Sequence, residues 1–229
     1  MTQLKGKGSV DMHNNVAVAE DIVDVKMSVY RVIKRAFDII VSLVALILLS
    51  PVFLAVIIAI KIEDKGKAIF TQERIGQGGH TFKLYKFRSM VSNADEILME
   101  ILKDEDSDLA REYRINKKFK NDPRITKVGN FIRKTSIDEL PQLVNILKGE
   151  MSLIGNRPYL PREKEDMKPY YYDIVKTKPG LTGYWQVNGR SNTTFKHRCK
   201  LEAEYSNNMS IRMDIKIFFK TFLVLFKGL

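Results

Sequence analysis

Cysteine is nearly absent: Cys199 stands alone in 229 residues. An internal disulfide is thereby excluded, and a reducing compartment fits. Histidine is scarce as well. His13, His80 and His197 are scattered, and with one thiol they make no zinc-ligand spacing. Chemistry that runs on imidazole or thiolate has little to draw on. No signal-peptide layout and no internal repeat is visible. Acidic charge is in deficit, with 38 Lys and Arg against 27 Asp and Glu, a net charge of +11. That balance points to an anionic partner: nucleic acid, an acidic membrane surface or a phosphorylated substrate.

Charge of either sign is missing altogether from residues 39–60, "IIVSLVALILLSPVFLAVIIAI". At about 1.5 Å per residue this run just matches the apolar thickness of a bilayer. Ser50 and Pro51 sit near its middle, and proline both removes a helical hydrogen bond and collides with the carbonyl four residues back. A kink is expected there. Lys34 and Arg35 precede the run, while Lys61, Lys65 and Lys67 follow it. Basic flanks favour the cytoplasmic side, and here they favour it at both ends. A helix that dips in, bends and returns satisfies both facts; a kinked span with its N-terminus outside is the other reading. Residues 1–30 read as a polar extension without periodicity, residues 31–64 as the membrane helix, and residues 65–229 as a compact cytosolic domain.

That domain reads as α/β-type and largely helical. Two strands are expected around the glycine-rich turn Gly76–Gly79; no helix pattern follows those glycines, so they form a hairpin rather than a dinucleotide fingerprint. Residues 92–118 are helical in composition, and the acidic run at 104–108 reads as a solvated face. In the tail, Arg212, Lys216, Lys220 and Lys227 fall at helical spacing, opposite Ile211, Ile215, Phe218, Phe219, Phe222 and Phe226. An interfacial helix has this layout, with cations toward phosphate headgroups, though a core helix resembles it.

The segment "TSIDELPQLVNIL", residues 135–147, places Asp138 directly before Glu139. Ser136 and Glu139 match a capping box, but Pro141 would then fall where an amide hydrogen is needed. With Asp138 as N-cap the proline is tolerated, Leu140, Leu143, Val144 and Leu147 face the core, and Gly149 ends the helix. A catalytic pair is the competing reading. Neighbouring residues do not share a helix face, so the two acids can hold different roles. Arg124, Lys127, Arg133 and Lys134 lie upstream, with Arg157 and Arg162 downstream. Acids among bases suit metal-assisted chemistry on phosphates. A glycosidase is disfavoured, because its carboxyls must flank a sugar several ångströms apart.

The ordered segments "FKLYKFRSM", "NDPRITKVGNFIRKTSIDELPQL", "SLIGNRP", "KPGLTGYWQVNGR" and "DIKIFFKTF" follow the Ser-Pro membrane helix. Over about residues 30–229 the chain resembles the monotopic phosphoglycosyl transferases, a family of bacterial sugar transferases. The resemblance implies transfer of a sugar 1-phosphate from a nucleotide-diphosphate sugar, a UDP-sugar, to undecaprenyl phosphate, with UMP released. Such transfer begins capsule, exopolysaccharide or O-antigen synthesis. It implies Asp138 as nucleophile carrying a covalent phosphosugar and Glu139 as a ligand of magnesium. Arg133, Lys86, Arg88, Arg157 and Pro158 would contact phosphate or substrate, and Ser50 with Pro51 would make the membrane helix re-entrant. The implied partners are nucleotide sugar, undecaprenyl phosphate and membrane lipid, with no nucleic acid. The implied location is the cytoplasmic face of the bacterial inner membrane. Larger relatives carry N-terminal spans, so this chain reads as the short form. One departure stands out: the family commonly has proline before the Arg-Pro pair, and this chain has Asn156, which bears on loop shape and sugar choice. A membrane-tethered nucleic-acid binder would explain the charge, and a lipid-binding scaffold the membrane elements, but neither needs Asp138 beside Glu139.

Overall fold

The computed structural model describes residues 8–104, 107–116, 119–188 and 193–227, with side chains from 27 to 223 in those ranges except 114–116. It opens with α1 (Gly8–Leu48) and α2 (Ser50–Glu63), and the arms Met27–Leu48 and Ser50–Glu63 are bent by 60°. The break falls at the Ser-Pro pair. Pro51 has no amide hydrogen to offer the Ile47 carbonyl four residues back, and the Ser50 hydroxyl donates to that carbonyl instead, at 2.8 Å. Serine thus satisfies what its neighbour leaves open. Among the described residues no single helix is long and apolar enough to cross a membrane, whereas the bent pair meets that length and composition together. The helix does not begin near residue 31: its backbone is helical from Gly8, in a stretch free of proline. Without such a breaker the docked portion extends N-terminally.

One face of α1 carries polar residues at helical spacing, and Tyr30, Lys34, Arg35 and Asp38 find partners in the rest of the chain. Arg35 donates to the carbonyls of Ile146 and Leu147, at 2.5 and 2.8 Å. These groups close the end of α6 (Gln142–Lys148), where a helix leaves carbonyls unpaired. Asp38 Oδ1 accepts from the Ser152 hydroxyl and the Leu153 amide, at 3.0 and 2.9 Å. Lys34 pairs with Asp214 at 2.6 Å, and the Tyr30 and Tyr205 hydroxyls donate to the same carboxylate at 2.9 and 2.7 Å. The opposite face is apolar and uncovered, with Ile40 62% and Leu48 71% exposed. The second arm lands on the same body. Val56 and Ile60 pack with Phe87 and Ile132, and Glu63 accepts from the amides of Lys127 and Val128 at the start of α5 (Lys127–Lys134).

Beyond α2 lies the expected hairpin, β1 (Ile69–Ile75) and β2 (Thr81–Phe87), antiparallel with Ile69 opposite Phe87 and Ile75 opposite Thr81. Its turn uses Gly78 and Gly79 at φ 72° and 82°, a conformation glycine adopts without steric cost. The helical stretch is α3 (Ala94–Lys103) and α4 (Asp108–Asn116); Glu105 and Asp106 of its acidic run lie outside the described residues. A second, parallel pair is new: β3 (Ser152–Ile154) beside β4 (Gly180–Thr182). Gly155 and Gly180 let the two backbones approach, since a Cβ on either would collide with the other's main chain. Strands this short leave no readable alternation. The remaining helices are α7 (Tyr171–Ile174), α8 (Tyr184–Asn188), α9 (Phe195–Asn208) and α10 (Ile211–Lys227). Among the described residues the chain is mostly helical with two small sheets, and Leu84, Ile146, Met151, Tyr205 and Ile217 centre the main core.

The tail helix α10 packs one face on the domain and leaves another uncovered. Asp214 and Ile217 are buried against the domain, while Ile211, Ile215, Phe219 and Leu223 form an uncovered apolar flank, Phe219 being 64% exposed. Arg212, Lys216 and Lys220 are exposed, Phe218 is turned inward to stack edge-on with Phe37, and the side chains of Phe226 and Lys227 lie outside the described ones.

The docking of α1 yields a stability prediction. Asp38→Ala leaves a buried amide at Leu153 and a buried hydroxyl at Ser152 without their acceptor, which costs about 1–3 kcal/mol. Thermal unfolding in detergent should show a lowered midpoint, while Asp64→Ala, at a more exposed position, changes it less. Equal midpoints for wild type and Asp38→Ala would mean that α1 is not held by this contact.

Candidate active site

Neither cap expected of the acid pair forms. Between α5 and α6 the chain turns at Ser136, the one described non-glycine residue at positive φ (58°), and then makes a tight turn over Ile137–Glu139. Ser136 bonds no backbone amide through its side chain, and α6 starts only after Pro141, so Asp138 is not its N-cap. Of the four residues expected to face the core, Leu143 is buried and Val144 is exposed. Gly149 does end the helix, at φ 84°. A serine in the left-handed region costs about 1 kcal/mol or more, and such strain concentrates at functional sites. Ile137 and Leu140 hold the turn against Phe87 and Ile132. Packing fixes the backbone here, and neither carboxylate is spent on capping.

The partner across the site is set by Asn145. Fully buried on α6, its amide donates to the Lys83 carbonyl at 2.7 Å and accepts from the Tyr85 amide at 3.0 Å. This clamps β2 to α6 and puts Lys86 opposite the turn, where its ammonium meets Glu139 Oε1 at 2.7 Å. Burial pushes the Asp138 carboxyl above the ordinary carboxylate range. The Lys86 charge opposes that rise, Glu139 adds to it, and Arg133 opposes it.

Glu139 and Ser136 lie at the edge of a cavity of about 690 Å³. Arg157, Arg198, Trp185 and Gln186 line it as well, and Phe218 and Phe222 of α10 form its apolar side. Four buried polar atoms of these residues have no hydrogen-bond partner: Arg157 Nε, Arg198 Nε, Trp185 Nε1 and Gln186 Oε1. Three orphaned donors and one orphaned acceptor gathered around one space mark where a polar ligand belongs. The Arg198 guanidinium stacks over the Trp185 ring at 4.5 Å. Sequence reasoning passed over Trp185, Gln186 and Arg198. The signal was there: Trp185 is the chain's single tryptophan, inside "KPGLTGYWQVNGR".

The other expected site residues are placed as follows. Arg133 stands exposed in the last turn of α5. Arg88 is turned to the end of α2, donating to the Asp64 carbonyl at 2.6 Å and facing its carboxylate at 3.4 Å. The Pro158 carbonyl accepts from Arg74 at 3.0 Å, and burial, with Arg157 nearby, lowers the Arg74 guanidinium to about 10. Arg124, one of the surrounding bases, is spent on Asp122. Asn156 is buried; its side-chain amide donates to the Ile174 carbonyl, the Thr177 hydroxyl and the Ser206 hydroxyl, at 3.0, 3.1 and 2.6 Å. In place of a proline ring, hydrogen bonds fix the loop that presents Arg157. Glu202 supports that loop from below, accepting from the Arg157 amide at 2.8 Å.

Among the described residues no three His, Cys, Asp or Glu side chains converge on one point. A closed protein-made metal cage is therefore not offered. The donors present, Asp138 and Glu139, suit a hard cation that takes one or two carboxylates and fills its shell from substrate phosphates and water, which is how magnesium binds.

The sequence pattern of the bacterial sugar transferases matches residues 29–228. The chain is 45% identical over 212 residues to an uncharacterized sugar transferase of Haemophilus influenzae, covering 93% of this chain and 43% of that one. It is 43% identical over 190 residues to the exopolysaccharide production protein ExoY of Sinorhizobium fredii, covering 82% of this chain and 83% of that one. With the undecaprenyl-phosphate galactose phosphotransferase of Salmonella typhimurium it shares 46% over 195 residues, covering 83% of this chain and 40% of that one. The chain thus spans less than half of two of these relatives and most of the third.

Glu202 supplies a pH test of the cradle under Arg157. Burial pushes its carboxyl up to about 8 from an ordinary 4.5. Folding then retains a proton that the unfolded chain has released, so this contribution to stability is present below pH 4.5 and lost as pH rises toward 8. The unfolding midpoint of the wild type should fall between these limits, by the equivalent of a few kcal/mol. Glu202→Gln should flatten the slope. Parallel profiles for the two proteins would mean that Glu202 is ionised throughout.

Proposed function

The chain belongs to the bacterial sugar transferase family, and from that premise we propose that it moves a sugar 1-phosphate from a UDP-sugar to undecaprenyl phosphate, starting capsule, exopolysaccharide or O-antigen synthesis. The observation that carries this reading is the acid pair, held on a strained turn and unused as a cap: Glu139 meets Lys86 and lines a cavity ringed by unpaired polar atoms, and Asp138 lies directly beside it in the turn. The names of the relatives support the class of acceptor and of product.

The proposed reaction has two displacements at one phosphorus. An ionised Asp138 oxygen bonds to the sugar-bearing phosphorus as the bond to the bridging diphosphate oxygen breaks, and UMP leaves with that oxygen and its electron pair. An oxygen of undecaprenyl phosphate then attacks the same phosphorus, the aspartyl–phosphorus bond breaks, and the Asp138 carboxylate returns. The raised Asp138 carboxyl makes a more basic, better nucleophile once ionised, and Lys86 and Arg133 favour the ionised form. Arg157 and Arg198 supply donors for phosphate oxygens, as guanidinium groups do. When bound, a magnesium ion held by Glu139 supplies charge screening for the diphosphate and the departing phosphate. The apolar wall of Phe218 and Phe222 suits an isoprenoid arriving from the tail-helix side.

The same reading covers location. Both arms of the bent helix pack on one body, α1 against α6 and β3 and α2 against α5. A straight span would carry the arms to opposite sides. We therefore place the chain as a re-entrant, monotopic protein on the cytoplasmic face of the bacterial inner membrane, where soluble nucleotide sugar and lipid-borne phosphate can both reach the cavity.

Two experiments test the proposal. Asp138→Asn keeps size and polarity but removes the charged nucleophile, so the protein should remain folded while UMP release with undecaprenyl phosphate falls by about 10³-fold or more. A folded Asp138→Asn with near wild-type turnover ends this mechanism. For topology, Asn15→Cys on a Cys199→Ser background should resist an impermeant thiol reagent in intact cells and react after lysis. Labelling from outside would assign the spanning form instead.

A further inference from the structure

A second cavity, about 200 Å³, lies where α1 meets the domain, apart from the acid pair. Its walls include Arg31, Lys34, Arg35, Lys176 and Lys178, with Asp38 as the one acid. Some of this charge is already answered: Lys34 pairs with Asp214, Lys176 pairs with Asp173, and Asp38 Oδ1 accepts from Ser152 and Leu153. Three cations are not. Arg35 bonds only neutral carbonyls, and among the described residues Arg31 and Lys178 have no hydrogen bond or ion pair. Burial lowers the Lys178 ammonium, and the Arg35 charge lowers it further, against Asp38. Like charges crowded beside Gly149, where an added Cβ would lie 3.5 Å from Arg35 Nη2 and 3.7 Å from Lys178 Nζ, are costly unless an anion joins them.

A neighbouring cleft identifies the source of that anion. It shares Tyr30, Lys34, Asp38 and Ile154 with the basic cavity and is walled by Ile33, Phe37, Ile211, Ile215 and Phe219. Ile33, Phe37, Ile211, Ile215 and Phe219 are exposed, so the cleft opens on the apolar flanks of α1 and α10. Phosphate chemistry beside an open apolar groove is what a phospholipid presents, and a free phosphate would have no use for the groove. We propose that this junction is a binding site for an anionic phospholipid, its headgroup phosphate held by Arg31, Arg35 and Lys178 and an acyl chain lying between α1 and α10. Because the bound lipid touches both helices and the domain, it fixes the depth and tilt at which the domain sits on the bilayer. The inference rests on the membrane placement proposed above and not on the transfer reaction.

The test uses the full chain in a neutral detergent and reads the thermal unfolding midpoint, which rises with any ligand that binds the folded state. The probes are dioctanoyl phosphatidylglycerol, dioctanoyl phosphatidylcholine and inorganic phosphate. Phosphatidylglycerol should raise the midpoint saturably, and the other two should not at equal concentration. Arg31→Gln with Lys178→Gln should raise the half-saturating lipid concentration about twenty-five-fold, each base near an anionic lipid being worth about fivefold. Arg212→Gln with Lys216→Gln, on the exposed tail, should leave it unchanged. An equal shift from phosphatidylcholine, an equal shift from phosphate alone, or an unchanged response of the double variant overturns the site. Should that variant fail to fold, native mass spectrometry of Lys178→Gln decides: it should retain less phosphatidylglycerol than wild type, and equal retention overturns the site.

Discussion

The polar stripe on α1 is the constraint on which the rest of the architecture depends. An apolar helix could be tethered to a domain by a linker alone. Here Arg35 closes the end of α6, Asp38 anchors the start of β3, and Lys34 with Tyr30 holds Asp214 of α10. Each contact satisfies a group that would otherwise be buried without a partner, so releasing the helix exposes several deficits together. The long apolar helix is thereby part of the domain's own framework. With α2 pinned through Glu63 to the start of α5, the bend at Ser50 and Pro51 becomes a rigid corner.

From that framework the site follows in short steps. α6 is placed by Arg35 at its end and by Asn145 along its length, and Asn145 also holds β2. β2 carries Lys86, and the turn before α6 carries Asp138 and Glu139. The cation and the acid pair therefore meet because two elements share one buried amide. The cavity beside them is closed by α8, α9 and α10, and α10 is held by α1 through Asp214. On the proposed reaction, membrane seating and catalytic geometry are consequences of the same contacts.

How much of this the sequence disclosed depended on how local the cause was. Proline acts on its own turn of helix, so the break at Pro51 was readable. So were the hairpin at Gly78 and Gly79 and the helix end at Gly149, since each needs only a backbone that glycine accepts. Long-range pairing was not readable. Lys34 and Arg35 looked like charges that orient a membrane helix, and their partners lie more than a hundred residues away. Arg88, in the same short segment as Lys86, turns instead to Asp64. The N-cap reading of Asp138 stayed open because the left-handed turn at Ser136 is invisible in the sequence, and the helix starts only at Gln142. Trp185 and Arg198 come together from two helices separated by residues 189–194, so no spacing rule joins them. The buried Asn156 shows the reverse: an odd residue in a resembling motif was noticed, but its three partners could only be seen once folded.

The central claim is that Asp138 takes the phosphosugar before the lipid arrives, and isotope exchange tests it most directly. Labelled UMP is incubated with protein, unlabelled UDP-sugar and magnesium, with no undecaprenyl phosphate present. A covalent intermediate returns label to the UDP-sugar pool, at a rate at least equal to turnover, and Asp138→Asn abolishes it. A protein that is active once acceptor is added yet shows no exchange without it, using the sugar accepted in turnover, would contradict the account.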